Sequence, residues 1–390
     1  MDGDRRDGPA VDGWHDEGVQ CDYFDAGACR SCTFMGIPYE VQLRRKQQDV
    51  QERLARVAPE AVWRSPFASP EAGFRNKAKL VVGGSPGALT LGILDREGRG
   101  VDLQGCGLYP HALSAAFGPV AHWLERLQVP PYDVPRRRGE LKHVLLTVSP
   151  DEELMLRLVL RSDRHLPRLR DALPRLLEEL PSLVVVSVNL QPEHKAVLEG
   201  EHEVLLTEQE HLTMSIGGVP LHLRPGGFFQ TNTAAAAALY ETATGWVRDV
   251  APRSVLDLYC GVGGFALHAA RVLPAGTPVR GLEISAEAVA AARTTAAELG
   301  LAADFGSGDA EVATAEADLV VVNPPRRGIG ALTQALERSS ARHLVYSSCD
   351  VGSLARDLAD LPSWVAREAR LVDMFPQTGH HEVVVRLQRG

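Results

Sequence analysis

The sequence predicts two architectures in one chain: an α+β region over 21–224 with antiparallel character, and a doubly wound α/β sheet over 225–390. Three observations predict them. Up to about 224, short apolar runs are bounded by glycine and proline, with one amphipathic helix between them. Beyond 225, alanine-rich helical stretches alternate with short apolar runs, the pattern of a parallel sheet covered by helices. The first of these later runs ends in a glycine turn that opens a helix, a join that such sheets place at their carboxyl edge.

Taken in order, residues 1–20 are polar and acidic and are expected to be a disordered tail rather than a secretory leader. A charged amphipathic helix follows over 41–57. Strands are expected at 79–82, 89–94, 143–148, 154–161 and 183–190. The one helix among them, about 163–180, has apolar residues at helical spacing and Pro167 in its first turn. In the second region, helices at 233–249 and 285–299 alternate with strands at 255–258, 279–282, 319–322 and 344–346. A last strand spans 382–387. No internal repeat is visible.

The 390 residues, 45% hydrophobic and 23% charged, suit a globular protein of two or three domains. No apolar run reaches the roughly 18 residues of a membrane helix. No membrane partner is therefore expected, and the chain is also expected to be cytoplasmic and monomeric. The net charge of −9 argues weakly against nucleic acid. However, six acidic residues and two arginines in the tail account for −4 of it, leaving −5 for the rest. Basic residues also cluster at Arg44-Arg45-Lys46, at Arg75, Lys77 and Lys79, at Arg136-Arg137-Arg138 with Lys142, and at Arg326-Arg327. Such stripes hold phosphates even on an acidic protein, although solvated faces account for any one of them equally well.

Asp257-x-x-x-Gly261-x-Gly263 follows the strand at 255–258, and Glu283 ends the next strand, where a carboxylate can take ribose hydroxyls. Glycine loops serve both NAD and S-adenosylmethionine (SAM), and this spacing leans toward SAM. Asn323-Pro324-Pro325 ends another strand and aims the Asn323 amide into the crevice at the sheet edge. Asn-Pro-Pro also suits amino-methyltransferases. Asp309 is placed either near an adenine or in a surface turn.

Cys349 ends the apolar run 344–346 with its Ser347-Ser348, and a helix is expected from 351. A helix N-terminus lowers a thiol pKa. A lone cysteine is more often buried core than catalyst. Beside Asn323 and the carboxylate of Glu382, Cys349 is the expected nucleophile and Glu382 the base, with His380 and His381 as possible helpers. Cys260, inside the glycine loop, is expected to pack. The compact Cys21-x7-Cys29-x2-Cys32, with Cys106 much later, suits either zinc or a [4Fe–4S] cluster.

Together these motifs resemble the bacterial SAM-dependent RNA uracil-C5 methyltransferases, and more narrowly the 23S rRNA (uracil(747)-C5)-methyltransferase group. The resemblance covers nearly the whole chain after the tail. It includes the 21–32 cysteine segment, Phe74-Arg75-Asn76-Lys77-Ala78-Lys79, and Phe228-Phe229-Gln230-Thr231-Asn232. It continues through the glycine loop, 323–330, Ser347-Ser348-Cys349 and 374–380. The resemblance implies a Rossmann-like methyltransferase domain over 225–390. It implies that Gln230, Tyr259, Gly261, Glu283 and Asn323 contact SAM. It makes Cys349 the nucleophile that adds to uracil C6, Glu382 the base that removes the C5 proton, and Phe228 a contact of the flipped base. It gives Cys21, Cys29, Cys32 and Cys106 to a [4Fe–4S] cluster, and makes 23S rRNA the partner. Broader relatives carry an acidic residue where Asn323 stands. Many also begin with a small RNA-binding β-barrel, for which there is no room before Cys21. Alternatives are the same chemistry on another rRNA or tRNA uridine, or a non-catalytic iron–sulfur RNA-binding module.

Overall fold

The computed structural model describes residues 19–194 and 197–390. The expected acidic tail therefore lies outside the described residues, except for its last two positions. Two large sheets organise the chain. We label the strands of the second β1 (Val255–Leu258), β2 (Val279–Glu283), β3 (Ala303–Ser307), β4 (Leu319–Val322), β5 (His343–Ser348), β6 (Trp364–Val372) and β7 (Glu382–Arg389). Their spatial order is 6-7-5-4-1-2-3. β1 to β5 run parallel, and β7 runs antiparallel between β5 and β6.

The central strands are apolar on both sides because helices cover both faces. Leu256, Val320, Leu344 and Tyr346 face one core, with Leu332, Leu336, Leu354 and Leu358 from the following helices. Val255, Val321 and Val345 face the other, with the helix Thr233–Val250 and the helix after the glycine loop.

The first sheet has the spatial order Gly100–Asp102, Ala88–Leu94, Lys77–Ser85, Leu141–Val148, Leu154–Leu160, Leu183–Leu190, His202–Leu205. It is antiparallel apart from the sixth strand, which pairs in parallel with the fifth after a crossover through the helix Leu166–Glu179. A further helical stretch, His111–Ala115 and Phe117–Arg126, lies where the sequence suggested only strands and turns. Gly118 and Pro119 both fall in the first turn of the second of these helices. The N–H that proline lacks has no intrahelical partner at that point.

The two cores cross the boundary expected at 224/225. The hairpin Leu212–Ile216 and Val219–Leu223 packs into the same core as the helix Thr233–Val250. The helix Tyr39–Leu54 buries Gln42, Lys46, Val50 and Leu54, one stripe at four-residue spacing. Val50 and Leu54 join the opposite core of the second sheet. Val62–Trp63 then adds to the edge of β6. No helix among the described residues is long and apolar enough to cross a membrane.

Candidate active site

Parallel strands bring their C-terminal ends to one edge, and the antiparallel β7 brings its N-terminal end to the same edge. Ser348, the last residue of β5, pairs with Val383. Four of the expected site segments thus meet: the loop after β1, Glu283 at the end of β2, Asn323 after β4, and Cys349 after β5 opposite Glu382.

The loop after β1 is left-handed at Tyr259 (φ 61°), Gly261 (φ 54°) and Gly263 (φ 86°). Tyr259 takes a conformation that favours glycine, which marks a constrained turn. A Cβ on Gly261 would meet nothing within 4 Å, so the backbone faces an open cradle. A Cβ on Gly264 would stand 2.4 Å from the Tyr240 hydroxyl, so that glycine is required by packing. Gly261 N–H donates to Glu283 Oε2 at 3.1 Å, and Ser285 N–H to Oε1 at 3.0 Å. The buried Tyr259 hydroxyl has no partner among the described residues, and burial pushes its pKa up to about 12. Asp257 is fully buried. Its Oδ2 accepts from Ala266 N–H at 2.9 Å, and burial lifts its pKa to about 8. Cys260 is buried among these groups, as expected. Asp309 caps the turn Ala310–Val312 by accepting from Glu311 N–H at 2.9 Å, the surface-turn placement.

The loop after β4 is held from below. Tyr346 Oη donates to Asp357 Oδ2 at 2.6 Å, and Ile329 N–H donates to the same oxygen at 2.9 Å. Gly328 sits at φ 88°, and a Cβ there would stand 2.3 Å from Asp357 Oδ2. Asp357 thus fixes the turn that carries Arg326 and Arg327, a role that its place in an ordinary helix did not announce.

Cys349 is half-buried one residue before Asp350, whose side chain caps the helix Val351–Ala359 by accepting from Ser353 N–H at 2.7 Å. The lowered thiol pKa expected from the helix start is not found. Burial first, then the charge of Glu382, raise it, and Arg326 acts against them. The helix terminus is already satisfied by the Asp350 carboxylate, so its partial positive charge is spent there. Glu382 is 3% exposed, and burial lifts its pKa to about 7. Ser347 Oγ donates to Glu382 Oε1 at 2.7 Å and partly offsets that rise. Ser347 was read only as part of a motif, and its partner lies 35 positions away. His380 is exposed, and His381 turns its Nδ1 to Gly379 O at 3.0 Å, within its own turn.

Two segments frame this edge. Asn76 Nδ2 donates to Gln230 O at 3.1 Å and to Thr233 Oγ1 at 2.9 Å, which docks the first sheet onto the 228–232 segment. Phe228 in that segment is 75% exposed, an unusual state for a large apolar ring. The segment 373–381, leading into Glu382, is clamped by the helix Tyr39–Leu54. Lys46 Nζ donates to Asp373 Oδ1 at 2.6 Å, to Phe375 O at 3.0 Å and to His380 O at 3.2 Å. Lys46 is therefore a buried ion-pair member rather than part of a basic surface stripe with Arg44 and Arg45.

The four remaining cysteines come from two segments that touch, since Gly105 N–H donates to Tyr23 Oη at 3.0 Å. Burial lifts the Cys32 pKa to about 11, with further contributions from Cys106, Cys29 and Cys21. Four soft sulfur donors thus feel one another's charge, and such a donor set fits a metal or cluster. Among the described residues, however, no group of three or more His, Cys, Asp or Glu side chains is arranged to hold a metal ion.

The sheet order, glycine loop and edge-gathered side chains define a Rossmann-like methyltransferase, and residues 230–348 match the methyltransferase small domain family. The tRNA (uracil-54, C5)-methyltransferase of Pyrococcus abyssi shares the fold with a TM-score of 0.75 at 23% identity, over 91% of this chain and 85% of that one. The 23S rRNA (uracil(747)-C(5))-methyltransferase RlmC of Halothiobacillus neapolitanus is 49% identical over 95% of this chain and 100% of its own length. The RlmC proteins of Escherichia coli K12 and Haemophilus influenzae are 47% and 45% identical, each over 95% of this chain and 99% of their own lengths. The chain belongs to this 23S rRNA (uracil(747)-C(5))-methyltransferase family.

Proposed function

We propose that the chain methylates C5 of a uridine in 23S rRNA, at the position named for its relatives, through a covalent bond between Cys349 and uracil C6. The carrying observation is the meeting of Cys349 with a buried Glu382 whose pKa lies near neutrality. SAM supplies an electrophilic methyl group. The thiolate of Cys349 adds to C6, and the C5=C6 electron pair becomes available at C5, which takes the methyl group as the sulfonium S–CH3 bond breaks and S-adenosyl-L-homocysteine is left. Glu382 then accepts the C5 proton. The electrons of that C–H bond restore C5=C6 and expel the thiolate, leaving 5-methyluridine. A base must be ionised yet basic enough to take a carbon-bound proton, and a pKa near 7 serves both needs.

In this reading Gln230, Tyr259, Gly261, Glu283 and Asn323 hold SAM. The unpartnered Tyr259 hydroxyl and the open cradle at Gly261 support it. Phe228, exposed beside Gln230, takes a face of the flipped uracil. Cys21, Cys29, Cys32 and Cys106 hold a [4Fe–4S] cluster that orders the 21–37 and 103–109 segments. The enzyme works in the cytoplasm as a monomer.

Mapping 5-methyluridine in 23S rRNA from cells with and without the protein tests the activity. Loss at the position named for the relatives is expected, loss at another uridine moves the target, and no loss anywhere overturns the reading. Anaerobically purified protein should hold about four irons and four sulfides. Stoichiometric zinc without sulfide would overturn the cluster alone.

A further inference from the structure

The helices Phe117–Arg126 and Leu166–Glu179 pack on one face of the first sheet, against Ala78, Leu80 and Val82 of the strand Lys77–Ser85. Alternation along that strand sends Lys77, Lys79 and Val81 to the other face. There, a cavity of about 410 Å³ opens among Val81, Tyr132, His143, His194 and Val197. That volume is in the range of small-ligand sites. Nothing in the methylation reaction uses it.

Its walls combine rings, neutral hydrogen-bonding groups, the Lys142 cation and one acidic residue, Glu193; Lys142 Nζ itself donates to Gln191 Oε1 at 3.1 Å and to Glu193 O at 2.7 Å. Tyr132 Oη and His194 Nδ1 are 2.9 Å apart, and Lys142 Nζ lies 4.9 Å from the centre of the Tyr132 ring. Burial, together with Lys142 and Lys79, pushes the His143 pKa down to about 4. The ring is therefore neutral at physiological pH, with one donor and one acceptor nitrogen. Val134 and Val197, 41% and 56% exposed, form an apolar rim. Beside Val134 lies the Arg136–Arg138 turn. Arg136 pairs with Asp133 at 2.8 Å, whereas the exposed Arg137 and Arg138 side chains have no partner among the described residues.

The cavity and the catalytic edge share one face. Lys79 pairs in register with Leu145, and Leu145 with Arg157. A Cβ on Gly226 would stand 3.7 Å from Arg157 Nη2, so the loop bearing Phe228 abuts this face. From Asn76, which bonds Gln230, to Val81 the strand covers about 17 Å, with Lys79 exposed on the way. A single-stranded RNA is the occupant that matches rings flanked by free cations, because every base has a face to stack and every phosphate a charge.

We propose that the cavity between Tyr132, His143 and His194 is a second nucleobase subsite, which takes an unstacked base of the RNA strand flanking the target uridine while Lys79, Arg137 and Arg138 hold its phosphates. The proposal rests on the reading that the substrate is RNA. It is tested with the full-length protein and 23S rRNA fragments carrying 4-thiouridine at single positions on either side of the target. After irradiation, one flanking position should cross-link to the 132–143 segment or to His194. The double variant His143→Ala, Val197→Asp should raise KM roughly five- to hundredfold, the loss of one stacked base, with kcat unchanged. Wild-type protein that methylates the fragment but cross-links only elsewhere overturns the subsite, as does wild-type KM in the variant, and the proposed activity stands. Wild-type protein that methylates no uridine overturns the reading beneath both. The cross-link is made on unaltered protein, so it does not depend on the variant folding.

Discussion

In the proposed reaction Glu382 is the residue on which the chemistry turns, and its environment makes its behaviour measurable. Burial raises its pKa to about 7, and the Ser347 hydroxyl, 2.7 Å away, favours the charged form. As a base it must be ionised, so kcat/KM should rise with pH through an apparent pKa near 7, and go on rising above it as the Cys349 thiol, whose own pKa is raised, ionises to the attacking thiolate. Removing the donor in Ser347→Ala disfavours the carboxylate, so the rise should move to higher pH. A hydrogen bond to a charged group contributes about 1.5–3 kcal/mol, or about one to two pH units. An unshifted profile would exclude this role for Ser347. At this scale the placement of Cys349, Glu283 and the glycine loop at the sheet edge was legible, because each sits where an apolar run stops, and that of Glu382, because it opens one. Ser347, Asp357 and Lys46 were not. Their partners lie far along the chain, and a buried lysine in a charged helix looks in sequence like any surface lysine. The sign of the Cys349 shift was also misjudged, since burial and the nearby Glu382 cannot be seen from a helix start.

Among the elements, the helix Tyr39–Leu54 earns its amphipathic pattern in an unexpected way, by burying Gln42 and Lys46 alongside Val50 and Leu54. Lys46 and Asp373 form an ion pair whose side chains are 1% and 0% exposed. Removing one member of such a pair leaves a buried charge without a partner. Lys46→Met should therefore destabilise the protein by about 3–5 kcal/mol in denaturant titration. It should also lower activity by freeing the 373–381 segment that leads to Glu382. A loss below 1 kcal/mol would mean that the segment is held by other contacts. The strands with unbroken apolar runs were readable. β3 (Ala-Asp-Phe-Gly-Ser) and β6 (Trp-Val-Ala-Arg-Glu-Ala-Arg-Leu-Val) were not. One is an edge strand with Phe305 as its only buried residue, and charges interrupt the apolar positions of the other. The Phe117–Arg126 helix hid behind a glycine and a proline that its first turn tolerates.

For the whole molecule, the change of sequence texture at 225 marks a change of architecture but not the limit of a core. The hairpin 212–223 and the helix 39–54 complete opposite faces of the second sheet. A fragment of 225–390 alone would expose both faces. It should lack the single cooperative unfolding transition of the full chain, as followed by circular dichroism, and a cooperative fragment of comparable midpoint would contradict this. Texture could not reveal the arrangement, because both segments carry the short, punctuated patterns of the first region. The central claim, covalent catalysis by Cys349, has a direct measurement. Full-length protein is incubated with SAM and a 23S rRNA fragment bearing 5-fluorouridine at the target, where fluorine replaces the proton that Glu382 must remove. The account predicts a protein–RNA adduct that survives denaturation and maps by mass spectrometry to Cys349, and no adduct with Cys349→Ala. Methylated product from Cys349→Ala, or turnover of the wild type without any adduct on the fluorinated RNA, would contradict it.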